Sequence, residues 1–460
     1  MIYIPSNLTL LWTLFLVSPS CTSSFVTLSV GTKPSFGLSA GSAVVETLTA
    51  PPSWEELQEQ LSVVEGGNDE EPLVTLYRDT NGWCPFCERV WLALRIKGVP
   101  YQETLISLQN KPEWYKQLVP TTLVPAVLFH SDKGNNDDDD LDEKVNERTL
   151  VWESNDILKA LDEKFPDTPK LWVDENPEFE EALTMNTELT TAGIGYVYAG
   201  RNASLTENDI EERRVKFMKE LDRLDAALAE STGGFRLGKD VTAIDCMMIP
   251  TLERWRHQLP ITNEIDILEG RPNIKSWFET MDTFEPYCHR VMGDKYSWVA
   301  VSSTFLRYFS GDESDPKVAA TIARADEAAE KLTDSFASYK FDEAEDKFVQ
   351  EAANKLISNH EAIVKDCTYV EPLSQKHIDR ASDGDVADQV LRYVATILVS
   401  DDNIIDLAKS SPIVQVENAK DGALAAKTVA SRLCVPRDMS APAAAVLRGV
   451  LSIVANRLEE

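Results

Sequence analysis

The stretch Trp83-Cys84-Pro85-Phe86-Cys87 constrains this chain more than any other. A β-type run, Leu73-Val74-Thr75-Leu76-Tyr77, precedes it. After it Val90, Trp91 and Leu94 recur at helical spacing until Gly98 stops the pattern. Cys84 therefore stands where a strand hands over to a helix. Pro85 suits the first helical turn, where its missing N–H would have had no partner anyway. Unpaired N–H groups and the positive end of the helix dipole favour thiolate over thiol there, so Cys84 is expected to be a nucleophile at neutral pH. A Cys-x-x-Cys pair also serves as half of a zinc site. No second such pair exists here and the five histidines are scattered, so no metal is expected. Two inert, buried cysteines are the remaining alternative.

A length of 460 residues accommodates two or three domains. The net charge of −31 argues against nucleic acid and anionic membranes as partners, since both repel such a surface. The seven cysteines (Cys21, Cys84, Cys87, Cys246, Cys288, Cys367 and Cys434) are odd in number and widely spaced, which fits a reducing compartment better than a disulfide framework. Residues 8–17 (LTLLWTLFLV) are apolar but short for a membrane span, and small residues follow up to Phe25, as in a signal peptide. Residues 25–45 are rich in Ser, Thr and Gly, and the first acidic residue of the chain is Glu46. A signal peptide followed by a transit-like segment resembles the bipartite leader of algae with secondary plastids. The expected location is therefore a plastid, with secretion or an endomembrane lumen as the alternative.

Residues 1–45 are thus taken as leader and 46–72 as a linker with one short helical segment. From residue 73 the pattern alternates strand (73–77), helix (85–97) and strand (101–106). A further strand carries Leu123-Val124-Pro125 at its start. Proline is awkward in a sheet ladder unless its missing N–H faces a turn or a ligand, and a cis Val124–Pro125 bond would expose the Val124 backbone. Residues 131–148, with four consecutive aspartates, read as a solvated loop before the strand 149–152 and the helix capped near Glu153-Ser154. Residues 173–300 read as helical, with a Thr242-x-x-Asp245 capping pattern. A shift in composition near residue 311 opens a helical extension, 311–460. Its expected helices cover 316–339, 342–363, 386–399, 419–433 and 442–458, and a structural or interaction role is expected for it.

From residue 73 to 298 the chain resembles a cytosolic-type glutathione transferase of the cysteine-type, omega-like group, in its plant and algal chloroplast branch with a C-terminal helical extension. The resemblance rests on Cys84-Pro85-Phe86, Asn110-Lys111-Pro112-Glu113-Trp114, Leu123-Val124-Pro125, Glu153-Ser154 and the 238–245 segment. In the tail, residues 359–362 and 434–439 add to it. It implies a thioredoxin-like α/β domain (73–172) followed by an all-helical domain (173–300). It further implies that Cys84 bonds the glutathione sulfur, with glutathione as co-substrate. Val124 would pair its backbone with the tripeptide beside cis Pro125. Ser154 and its helix N-terminus would take the γ-glutamyl carboxylate and Glu153 the amine, while Lys111 would approach the glycyl carboxylate and Phe86 line the site. Cys87 stands where many omega-like proteins carry alanine or serine. It is assigned a resolving role, a shared iron–sulfur cluster being the alternative. The expected activity is glutathione-dependent thiol transfer or reduction on a small electrophilic or disulfide substrate, of the dehydroascorbate or glutathionyl-substrate type. Conjugation of glutathione to electrophiles and a non-catalytic binding scaffold are the rivals. No membrane partner is expected for the mature chain, and a homodimer is compatible with the resemblance. Tyr196, Tyr198 and Trp255 are candidates for a second-substrate pocket, with core packing the simpler expectation.

Overall fold

The computed structural model describes residues 51–62, 71–130, 149–199, 205–309, 315–369, 379–400, 403–410 and 418–460. The leader, the acidic segment 131–148 and the composition shift at residue 311 lie outside the described residues. The chain divides into two compact units, one containing residues 71–334 and 434–444, the other 51–62, 335–433 and 445–460. Helix α1 (Trp54–Ser62) opens the described chain and belongs to the second unit.

The first unit begins with β1 (Val74–Asp79), whose six residues are all buried. Helix α2 (Pro85–Lys97) follows, then β2 (Tyr101–Ile106), α3 (Glu113–Leu118), β3 (Ala126–Phe129), β4 (Thr149–Trp152) and α4 (Ser154–Lys164). The sheet order is β2-β1-β3-β4, with β1 parallel to β2 and antiparallel to β3, and β3 antiparallel to β4. A parallel pair needs a crossover connection, and α2 supplies it. Gly98 ends α2 at φ 62°, a left-handed conformation that favours glycine, and Val99 N–H closes the turn on Leu94 O at 3.2 Å. Beneath the sheet lie Val74, Leu76, Trp91, Leu92 and Leu94 of β1 and α2, with Ile157, Leu158 and Leu161 of α4, all essentially fully buried.

The helical part of this unit comprises α5 (Phe179–Val197), α6 (Glu207–Ala229), α7 (Ala243–Thr262), α8 (Pro272–Asp282), α9 (Glu285–Cys288), α10 (Lys295–Phe309) and α11 (Pro316–Thr333). Thr242 and Asp245 form the expected capping box, and the buried Asp245 also accepts from Arg236 N–H and from the Trp277 indole, each at 2.9 Å. That carboxylate ties the glycine turn, α7 and α8 together. Helix α11 packs along α10 and α7, so this unit extends to residue 334 and does not stop near 311.

The second unit is helical throughout its described residues. After two short 3-10 turns come α12 (Asp346–Ser358), α13 (His360–Thr368), α14 (Gly384–Val399), α15 (Ile404–Ser410), α16 (Ala419–Arg432) and α17 (Ala441–Glu459). The expected 342–363 helix is broken at Asn359, whose side-chain amide donates to Lys355 O at 2.8 Å and closes α12. The segment expected to be a linker docks here: Trp54 stacks on His360 at 4.4 Å and its indole donates to Asp388 at 2.7 Å. By length and composition α17 is apolar enough to cross a membrane. Its Val446, Leu447, Val450, Leu451 and Val454 are nevertheless buried, as in a core helix.

Candidate active site

Cys84 is the N-cap of α2, at φ −74° and ψ 114°, with Pro85 in the first turn. The loop that carries it is held from both sides. Asp79, at the end of β1, accepts the Trp83 N–H at 2.8 Å. Arg254 of α7 donates to Trp83 O at 2.9 Å and to Glu88 of α2 at 2.7 Å, with its guanidinium 4.3 Å from the centroid of the Trp298 ring. The helical part thereby sets the start of the cysteine helix. Arg254 and Glu88 are both buried, so the pair stands or falls together.

The sheet register brings the other expected residues to the same end. Ala126 pairs with Tyr77 of β1 and with Trp152 of β4, so Pro125 and Val124 continue toward the Cys84 loop while Glu153 and Ser154 continue beside them. The Val124–Pro125 bond is cis, and the Cys84 thiol points at Val124 O from 4.0 Å. Among the described residues the Val124 N–H meets no backbone acceptor. Ser154 is buried in the first turn of α4, and Glu153 holds a positive φ of 73° just before it. Partial burial raises the Glu153 carboxyl above its ordinary range, and Asp156 adds to that shift. Lys111 is half-buried, which lowers its ammonium, while the Cys84 charge acts in the opposite sense. Arg89 and Arg254 also feel the Cys84 charge. Lys111, Arg89 and Arg254 are thus in electrostatic reach of the Cys84 sulfur, which also stands at the N-terminus of α2. Cys87, one turn along α2, is pushed well up by burial, by its hydrogen bond to Cys84 and by the charges of Cys84 and Asp79.

Sequence reasoning missed the cover. Cys84 is 3% exposed and Cys87 1%, in a cluster with Trp83, Trp298 and Val301. Phe86, Leu108, Val124, Phe305 and Cys434 pack against that cluster. Trp298, Val301 and Phe305 all come from α10, at a three- and four-residue spacing that a search for helical periodicity finds. The tail segment 434–439 lies in the same unit. Val435 N–H donates to Ser297 Oγ at 2.9 Å and Arg290 donates to Pro436 O at 2.6 Å. Phe86 is partly buried under the Arg89 guanidinium, 4.8 Å from its ring centroid. Tyr196 and Trp255 are core residues: Tyr196 stacks on Phe217, which meets Trp255 edge-on.

Residues 83–164 match the model of the glutathione S-transferase N-terminal domain, and 207–280 that of the glutathione S-transferase C-terminal domain. The chain is 29% identical to glutathione S-transferase L2, chloroplastic, of Arabidopsis thaliana, over 44% of this chain and 62% of that one. It is 26% identical to glutathione S-transferase DHAR3, chloroplastic, of the same plant, over 45% and 68%. The chain thus spans less than two thirds of the L2 protein. Among solved structures, glutathione transferase Omega 3C from Trametes versicolor aligns with a TM-score of 0.40 at 18% identity, over 56% of this chain and 97% of that one. The chain thus carries, in the expected order, regions that match both the N-terminal and the C-terminal domain models of the glutathione S-transferases.

Proposed function

We propose that the protein is a glutathione-dependent thiol transferase, with Cys84 as its nucleophile. The observation that carries this reading is the placement of Cys84 as N-cap of α2, with Val124 O at 4.0 Å and with Arg89, Lys111 and Arg254 in electrostatic reach. In the reaction, the Cys84 thiolate attacks the glutathionyl sulfur of a mixed disulfide. A Cys84–glutathione disulfide forms and the substrate leaves as its thiolate. A second glutathione thiolate then attacks the glutathionyl sulfur, releasing oxidised glutathione and restoring Cys84. Cys87 offers a second route, attacking the Cys84 sulfur and expelling glutathione to leave a Cys84–Cys87 disulfide. Val124, cis Pro125, Glu153 and Ser154 would hold the tripeptide and Lys111 its glycyl carboxylate, with Phe86 at the edge.

The cover is part of the proposal. Disulfide exchange needs in-line approach to the attacking sulfur, so Trp298, Val301 and Phe305 must part before glutathione enters. The same burial would suit a non-catalytic binding role, which is the second reading. Turnover of a small glutathionyl disulfide with glutathione should be readily measured and lost in Cys84→Ser. Unchanged turnover in that variant would end the transferase reading, and absence of turnover in the wild type together with retention on immobilised glutathione would favour the scaffold. A plastid location follows the residue 1–45 leader and is in keeping with the chloroplastic names of the two Arabidopsis proteins. A fluorescent fusion labelling only the secretory pathway would remove it.

A further inference from the structure

Cys84 and Cys87 have a third neighbour that no motif announces. Asp79 is fully buried at the end of β1, and one sulfur from each cysteine and one Asp79 oxygen all lie within 4.8 Å of one another. One carboxylate oxygen accepts the Trp83 N–H, and the other, Oδ1, has no hydrogen-bond partner among the described residues. A buried carboxylate oxygen without a donor is costly to leave unmet, and the carboxylate that carries it lies beside two thiols. We propose that Asp79, Cys84 and Cys87 form a binding site for a thiophilic divalent cation of the zinc type.

Two thiolates and one carboxylate are a donor set that suits zinc or cadmium and disfavours magnesium or calcium, which want oxygen throughout. Tetrahedral zinc with Zn–S near 2.3 Å sets its sulfurs roughly 3.8 Å apart, so the observed cluster closes onto a cation with shifts on the order of 1 Å. The fourth position is open to water or an incoming thiolate. With the cation bound the cluster carries one net negative charge, offset by the N-terminus of α2 and by Arg89 and Arg254. Any thiol proton still held, that of Cys87 first, is released to solvent on binding, so affinity rises with pH. Because the ligands include the proposed nucleophile, the loaded protein would be silent in thiol transfer. The site itself stands on the three side chains whether or not the transferase reading holds.

Cadmium titration of the reduced full chain, followed by the thiolate-to-cadmium charge-transfer band, is the direct test. One equivalent should bind, with the band intensity of two thiolates. Affinity should fall at least a hundredfold in Cys87→Ser and at least tenfold in Asp79→Asn, with Cys288→Ser as the unchanged control. A wild type that binds no better than the Cys84→Ser/Cys87→Ser double variant overturns the proposal. So does an Asp79→Asn protein that is folded by circular dichroism and binds as tightly as wild type. A readout on the wild type alone guards against misfolded variants: zinc added in weak buffer should release protons, and a titration with no release contradicts the site. Loss of disulfide turnover in Cys84→Ser concerns the transferase reading only, whereas cation affinity in Asp79→Asn concerns this one.

Discussion

Two kinds of residue meet at Cys84, those that would touch the tripeptide and those that only hold the loop, and they should fail differently. Lys111→Met removes a half-buried cation near the sulfur. It should raise KM for glutathione about tenfold, roughly 1.4 kcal/mol, with the fold intact. Steady-state kinetics and a melting curve check both halves of that expectation. Arg254→Met instead leaves Glu88 buried without its partner and Trp83 O without its donor. Its expected cost is about 3–5 kcal/mol of stability, measured by denaturant unfolding. A Lys111 variant with unchanged KM, or an Arg254 variant as stable as wild type, contradicts the respective role. Cys84, Pro85 and Val124 were legible in the sequence because each sits at a local signal, a helix start or a proline in a strand, whereas Ser154, expected as a cap, lies inside the first turn behind an N-cap Glu153 that makes no side-chain capping bond. Asp79 and Arg254 were not legible, because their importance comes from what the fold brings opposite them, Asp79 to Cys84 across a loop and Arg254 to Glu88 across 166 positions.

Among the elements, α2 carries Cys84 and Cys87 and α10 supplies Trp298 and Val301 of the cluster that buries them. Helix α2 was readable from its proline start and glycine stop, and Gly98→Ala should cost about 1 kcal/mol because an L side chain is strained at φ 62°. Thermal unfolding would show this. Helix α10 was readable in principle from Trp298, Val301 and Phe305, but nothing in the sequence tells that its apolar stripe lands on Cys84 and Cys87 rather than in an ordinary core. Trimming that cover should free the thiol. Phe305→Ala is expected to speed alkylation of Cys84 several-fold with little change in melting temperature, since Phe305 is only partly buried. Unaltered alkylation would place the gate elsewhere. The 342–363 helix was misjudged because Asn359 is compatible with a helical pattern yet its side chain competes for the backbone of the preceding turn.

On the scale of the whole chain, the net charge of −31 and buried titratable groups shape how stability varies with conditions. His257 of α7 is held down to about 3 by burial, with Arg256 beside it. The unfolded chain takes up this proton near pH 6.5 and the folded one only near 3, so the unfolded state binds more protons between those values. Stability is full above pH 6.5 and falls through that window by as much as about 1.4 kcal/mol per pH unit from this group alone. His257→Gln should flatten the slope of unfolding free energy between pH 6 and 4, roughly the middle of that interval, and an unchanged slope would contradict the assignment. The two-part α/β-plus-helical plan was legible from periodicity and turn residues. The docking of Trp54 in the second unit was not, because a short amphipathic segment carries no address for its partner. The central claim, a Cys84 sulfur that captures the sulfur of glutathione, is tested most directly by trapping the adduct. In Cys87→Ser exposed to oxidised glutathione, mass spectrometry should find one glutathionyl group on the peptide carrying Cys84. An adduct confined to other cysteines, or none at all, would contradict the account.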